Sequence, residues 1–284
     1  MRKIDSYPIP LRPEPSDGWP QSWRDSHRYD RLEVWKDPAA IGTASIGYVC
    51  AYANRRQHTI DAVLSSCPAP ARVLDLAAAQ GNFTIALAAL KYEVTWNDLR
   101  PELEEYVRLK TPKGLDIRFV AENIFELSEI YADSFDAVVA LEVLEHVAHP
   151  DDFIAKLAGL LAPGGVIVLT TPNGEYFLNR LPRFSDCSDP SVFEKVQFKP
   201  NSDGHIFLLY EDELRLFATR TGLAVEQLHF ITSPLTSGHV KLRYLLNVLP
   251  DWCVNTLEKW TQRLPLGIRK KISAQLIVVL KKPC

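Results

Sequence analysis

The feature that most constrains this chain is an alternation of short apolar runs with helical stretches that starts at Arg72 and continues almost to the last residue. The runs are RVLDLA from Arg72, EVTWNDL from Glu93, DIRFVAEN from Asp116, FDAVVAL from Phe135, VIVLTTP from Val166, a run over 224–231 and a last one near 274–280. Between them the apolar positions take helical spacing, over 82–90, near 102–109, near 152–161 and over 211–221, the last stopped by Gly222. Parallel strands need crossovers of this length, so the pattern predicts an α/β fold: a mainly parallel seven-stranded sheet with helices on both faces.

The flanks are less regular. Residues 1–38 are rich in Pro, Trp and charge without a clear period, so an irregular arm ordered by packing is expected there, either covering the core or acting as a lid. Apolar residues from Ala44 to Ser65 keep helical spacing until Pro68 and Pro70 stop them. The expected division is an arm over 1–43, a core over 44–232, and a helical insertion followed by a final edge strand over 233–284. Within 242–272, two Trp, several Leu and a set of basic residues read as a helix pair packed on the core, and the alternative is that residues 233–272 form a surface that meets a membrane or a second copy of the chain.

Charge is unevenly spread. Residues 239–284 hold nine Lys or Arg against two Asp or Glu, whereas the whole chain carries −3. The acidic body argues against an extended nucleic acid as partner, because such binding rests on neutralising phosphates. Five scattered cysteines with no CxxC suit free thiols in a reducing compartment and give no structural zinc site. The first residues lack an apolar stretch and no long apolar run follows, so the cytoplasm is the expected compartment.

The first strand leads into Asp75-Leu76-Ala77-Ala78-Ala79-Gln80-Gly81-Asn82-Phe83, a run of small residues before a helix start. Small residues let a ligand lie against the backbone, and in an open parallel sheet ligands gather beyond the strand carboxyl ends. Asp75 through Gly81, followed by Asp98 at the end of EVTWND, resembles the motifs of class I S-adenosylmethionine-dependent methyltransferases, which have a Rossmann-like fold. The resemblance implies that the cofactor meets Asp75, Ala77, Ala79, Gly81, Phe83, Asp98, Leu99, Asn123, Ile124 and Leu141. In that family the residue matching Asp98 binds both ribose hydroxyls, a task that suits a two-oxygen acceptor. Ala77 and Ala79 stand where glycine is common, which predicts a loop less free to adopt unusual backbone angles. A nicotinamide dehydrogenase would need GxGxxG in this turn, and DLAAAQG lacks that spacing.

The fourth run ends in Glu142-Val143-Leu144-Glu145-His146. A helical turn there would project Glu142, Glu145 and His146 from one face, and His205, in Asp203-Gly204-His205, would complete a two-Glu, two-His set. Such donors suit Mn²⁺, Fe²⁺, Co²⁺ or Zn²⁺, and Mg²⁺ with added water. LEVLEHV, APGG, TTPN and the later His resemble ubiquinone-biosynthesis O-methyltransferases. The ExxEH and the later His are also similar to small-RNA 3′-terminal 2′-O-methyltransferases. Both resemblances imply a divalent metal at Glu142, Glu145, His146 and His205, with the same four residues as the catalytic set.

The expected activity is therefore methyl transfer from S-adenosylmethionine, leaving S-adenosylhomocysteine, to a hydroxyl of a small-molecule or sugar-like acceptor. Alternatives are metal-independent N- or C-methylation, RNA 3′-terminal 2′-O-methylation, and a non-catalytic cofactor-binding scaffold.

Overall fold

A computed structural model describes residues 7–42, 45–126, 128–197, 204–237, 244, 246 and 249–284. Asp203 and much of 238–248 lie outside the described residues. The strands are β1 (Arg72–Leu76), β2 (Glu93–Asn97), β3 (Ile117–Val120), β4 (Phe135–Leu141), β5 (Leu161–Pro172), β6 (Ala224–Ile231) and β7 (Gln275–Lys281). Among the described residues they form one seven-stranded sheet in the order β3-β2-β1-β4-β5-β7-β6. Pairing is parallel from β3 through β5, while β7 runs antiparallel to both β5 and β6.

The helices of the core are α2 (Ile46–Ser66), α3 (Asn82–Ala89), α4 (Glu102–Lys110), α5 (Ser128–Tyr131), α6 (Pro150–Leu160) and α7 (Glu211–Arg220), with α1 (Gln21–Glu33) before them. Local sequence sets their ends. In α6, Pro150 fits the first turn and Asp151 and Asp152 favour the positive helix terminus. In α4, three glutamates open the helix while Arg108 and Lys110 close it.

Strand alternation divides the core into two layers. Leu74, Val138, Ile167, Leu169 and Val278 pack with Phe153, Ile154 and Leu157 of α6 and Leu214 and Phe217 of α7. On the other face Val73, Val94, Trp96, Val139 and Val168 pack with Val63, Ile85, Leu87, Leu103 and Val107 from α2, α3 and α4. Adjacent residues such as Val73 and Leu74 thus serve opposite layers, as a period of two requires. Each large side chain so buried contributes about 1.5–3 kcal/mol.

Two expectations are corrected. The last strand is not at the edge: β7 lies between β5 and β6, and β6 is the edge strand. The physical reason is in the side chains, since six consecutive residues of β7 are buried whereas β6 alternates with exposed positions. The N-terminal arm is also not irregular throughout, because Gln21–Glu33 is a helix.

That helix is fastened by a buried polar cluster. Asp30 Oδ2 lies 2.6 Å from Lys110 Nζ, with both side chains fully buried. Asp30 also accepts from Tyr106 Oη at 2.7 Å and Asn82 Nδ2 at 2.7 Å, and Lys110 Nζ donates to Asn82 Oδ1 at 2.8 Å. Arg56, also fully buried, donates to the carbonyl of Pro8. The arm is therefore tied to α2, α3 and α4 at once.

Near the C-terminus, α8 (Asp251–Thr261) and α9 (Leu266–Ile272) precede β7. Val254 and Leu246 bury against Ile46 and Cys50 of α2, while Trp252, Trp260, Leu266 and Ile268 remain exposed. No helix among the described residues is long and apolar enough to cross a membrane.

Breaking a buried ion pair on one side leaves an uncompensated charge. Lys110→Met should lower unfolding stability by about 3–5 kcal/mol in urea denaturation. A loss under about 1 kcal/mol would show that Lys110 does not anchor the arm.

Candidate active site

The turn after β1 departs from ordinary backbone at alternate positions. Ala77 has φ 52°, Ala79 φ 46° and Gly81 φ 67°. The alanines thus adopt the left-handed region that their side chains disfavour by roughly 1–2 kcal/mol per residue. They take the angles expected of glycine, contrary to a loop confined by its alanines, and the surroundings hold them there. Ala78 N–H donates to the carbonyl of Asn97 at 2.9 Å, and Gly81 N–H to the carbonyl of Ala78 at 2.8 Å. Gly81 is fixed by space as well as angle, since a Cβ there would lie 2.7 Å from Val107 Cγ1.

Asp75 supports this turn from beneath. Its buried carboxylate accepts from Thr84 Oγ1 at 2.5 Å, and burial pushes its pKa up to about 7. Phe83 packs with Tyr52, Ile60 and Ala86 below the loop. Glu33, at the end of α1, is likewise pushed to about 7 by burial and accepts from Tyr48 Oη.

Asp98 follows β2, with only 5% of its side chain exposed. Its Oδ2 accepts from Ala79 N–H at 2.9 Å, so it joins the β1 turn to the end of β2. Arg100 lays its guanidinium fork on the same carboxylate, Nε to Oδ1 at 2.8 Å and Nη2 to Oδ2 at 3.1 Å. Beside it Leu99 is 59% exposed. Asn123 is exposed, with Oδ1 accepting from Phe125 N–H at 3.1 Å, while Ile124 is buried and Leu141 half-buried.

The helical turn expected after β4 forms over Leu144–His146 but leaves Glu142 outside it. Glu142 has φ 53°, which turns it away from the short helical turn Leu144–His146 that follows. Its carboxylate accepts from Thr170 Oγ1 and Gln275 Nε2, each at 2.9 Å, and lies 3.0 Å from Arg55 Nη1. The structure therefore does not bring Glu142 into one cluster with the other three.

Glu145, His146 and His205 do converge: one ligand atom from each lies within 4.8 Å of the others. Ile206 N–H donates to the carbonyl of Glu145 at 2.7 Å, which brings the distant His205 alongside. The imidazole rings meet edge to face, with centroids 4.9 Å apart, and His146 Nδ1 lies 3.3 Å from the carbonyl of Gly204. Glu145 is fully buried: its Oε2 accepts from Thr171 Oγ1 at 3.1 Å, whereas its Oε1 accepts no hydrogen bond from the described residues and lies 3.9 Å from His205 Nε2. Burial, with the Glu142 charge nearby, raises the Glu145 pKa well above the usual carboxylate range. A buried acceptor of this kind calls for a partner of positive charge or a proton.

Sequence reasoning missed Arg55, Asn97, Thr170, Thr171 and Gln275. Asn97 Nδ2 donates to the carbonyls of Val120 and Glu122, each at 2.8 Å, and so shapes the end of β3. The signal for Thr170, Thr171 and Gln275 was hydroxyl and amide side chains at the ends of strands otherwise apolar; Arg55, on a helix with other polar residues, gave none.

A family profile described as a methyltransferase domain matches residues 51–228. The ubiquinone biosynthesis O-methyltransferase of Xanthomonas axonopodis pv. citri (strain 306) is 40% identical over 107 residues, covering 37% of this chain and 45% of that protein. The matched stretch thus spans less than half of that relative's length. The N-methyltransferase NodS of Bradyrhizobium japonicum, solved with S-adenosyl-L-homocysteine, shares the fold at TM-score 0.52 and 16% identity, covering 93% of this chain and all of the other. Phosphoethanolamine N-methyltransferase 2 of Haemonchus contortus, solved with S-adenosyl-L-methionine, does so at TM-score 0.53 and 15% identity, over 90% of this chain and 60% of its own.

The strained turn and the buried carboxyls make two tests. Ala79→Gly should leave stability unchanged or raise it by up to about 1 kcal/mol, whereas Gly81→Ala should lower it by at least about 1–2 kcal/mol in denaturant titrations. Equal losses at both positions would contradict the assigned angles. Asp75 is neutral in the fold up to about pH 7 but ionises near pH 4 when unfolded, so its stabilising contribution is complete below about pH 4 and is lost as pH rises through 7. The stability of the wild type relative to Asp75→Asn should therefore fall between pH 4.5 and 8; a flat or rising difference would show that burial does not hold the proton.

Proposed function

The chain belongs to the methyltransferase-domain family, and on that premise we propose that it transfers the methyl group of S-adenosylmethionine to a hydroxyl of a small-molecule or sugar-like acceptor. One observation carries the reading: the left-handed turn with its Asp98 carboxylate and the Glu145–His146–His205 cluster stand at neighbouring strand ends of one sheet edge. The name of the Xanthomonas relative supports oxygen as the acceptor atom.

In this reading the turn over 77–81 receives the methionine part of S-adenosylmethionine, and Asp98 accepts from its ribose hydroxyls. Leu99, Asn123 and Ile124 flank the adenine, with Leu141 on the inner side. The sulfonium methyl is already activated, so the protein's task is to hold an acceptor oxygen in line and to remove its proton. The O–C bond forms as the S–C bond breaks, and S-adenosylhomocysteine and a proton leave with the methyl ether. His146 and His205 supply the two imidazoles that would take that proton.

The donor set also fits a divalent metal. Glu145 Oε1 is buried without a hydrogen bond from the described residues and lies beside two imidazoles, a combination of carboxylate and nitrogen that first-row ions favour. Mn²⁺, Fe²⁺, Co²⁺ or Zn²⁺ would be held by Glu145, His146 and His205, and Mg²⁺ with more water. Such an ion would lower the pKa of an acceptor hydroxyl. Glu142 serves this site from outside the ligand set, through its charge and its pair with Arg55.

The test is methyl transfer from labelled S-adenosylmethionine to a panel of catechols, sugars, amines and carbon acids, with and without chelator. Hydroxyl acceptors should be methylated, and chelation or Glu145→Gln should lower kcat. Asp98→Asn should raise the KM for S-adenosylmethionine by about 10–100-fold, the loss expected for hydrogen bonds to a charged group. Transfer confined to amines or carbon and indifferent to chelation would overturn the hydroxyl and metal parts. A folded chain that binds no S-adenosylmethionine would overturn methyl transfer itself.

A further inference from the structure

We propose that Arg100 is an intramolecular competitor for the ribose site: its guanidinium holds the Asp98 carboxylate until the cofactor's two adjacent hydroxyls displace it, and it thereby sets cofactor affinity. The inference rests on the cofactor reading given above.

The argument is a count of donors and acceptors. A carboxylate offers about four lone-pair positions on two oxygens. Among the described residues Asp98 already meets four donors: Ala79 N–H at 2.9 Å, Arg100 N–H at 3.0 Å, Arg100 Nε at 2.8 Å and Arg100 Nη2 at 3.1 Å. A ribose diol brings two further O–H donors. Something must leave before both can bind.

Of the four, two are backbone amides held by the β1 turn and by the turn between β2 and α4. They cannot withdraw without unmaking those turns. The guanidinium can, because the Arg100 side chain is 53% exposed whereas that of Asp98 is 5% exposed. It supplies two donors, as many as a diol needs, and it reaches the carboxylate from the solvent side. Glu102 lies close enough for its charge to act on the same guanidinium, so a displaced Arg100 has a second acidic neighbour.

The exchange is therefore fork for diol at one carboxylate. When a binding-competent state is only a fraction of the population, apparent affinity falls by that fraction. An ion pair with one exposed partner is modest in strength, which puts the expected effect at roughly three- to tenfold in Kd. Arg100 is in this sense a specificity and affinity residue that touches the cofactor's acceptor, and not a catalytic residue.

Calorimetric titration with S-adenosylhomocysteine tests this on the full chain. Arg100→Ala and the shape-preserving Arg100→Gln should both bind about three- to tenfold more tightly than the wild type. Against an analogue lacking the 2′ and 3′ hydroxyls, which makes no claim on Asp98, wild type and variants should bind alike. Equal or weaker binding of S-adenosylhomocysteine by both variants would overturn the inference while leaving the cofactor reading intact. Thermal melts of each protein confirm folding, and a folded wild type and folded variants that all fail to bind would overturn both.

Discussion

Parallel strands joined by helical crossovers leave their carboxyl ends on one edge, and everything chemical in this molecule depends on that constraint. The turn after β1, Asp98 after β2, Asn123 after β3 and Glu142 to His146 after β4 are far apart in sequence yet share this edge. The strand order runs from β1 outward in both directions, to β2 and to β4, so the order reverses at the paired β1 and β4, the position at which open α/β sheets gather ligands. Two short contacts, Ala79 N–H to Asp98 and Ala78 N–H to the carbonyl of Asn97, link the turn after β1 to the end of β2. A further connection, Ile206 N–H to the carbonyl of Glu145, brings the second imidazole from another part of the chain.

The edge is kept polar at the expense of local strain and buried charge. Ala77, Ala79 and Glu142 all hold positive φ, and Glu33, Asp75 and Glu145 are carboxyls whose burial favours the neutral form. Such features persist only where packing over-determines them. Here the packing comes from Trp96 and Val107 beneath the turn and from the docked N-terminal helix, whose Asp30 reaches Asn82 immediately after Gly81. The arm is thus part of the loop's support, a role that irregular composition did not announce.

Much of the sheet was legible because apolar strands separated by helical periods admit few arrangements. The same signal placed the candidate cofactor residues, since Asp98 and the small-residue turn end strands. It failed where side-chain spacing does not report backbone angle. Glu142, Glu145 and His146 have helical spacing, but a left-handed residue at 142 sends the first carboxylate to Arg55, Thr170 and Gln275 instead. The position of β7 was misread although its continuous run QLIVVL already distinguished it from β6, where polar residues alternate. Arg55 and Lys110 left no sequence signal because their partners, Glu142 and Asp30, lie 80 or more positions away.

The central claim is that the cofactor lies across the ends of β1 and β2. A crystal structure of the complex with S-adenosylhomocysteine tests it most directly. The account predicts the ribose hydroxyls on Asp98 and the homocysteine part along residues 77–81, with Arg100 swung off the carboxylate. Electron density for the ligand at any other strand end, or a complex in which Asp98 makes no contact with it, would contradict the account.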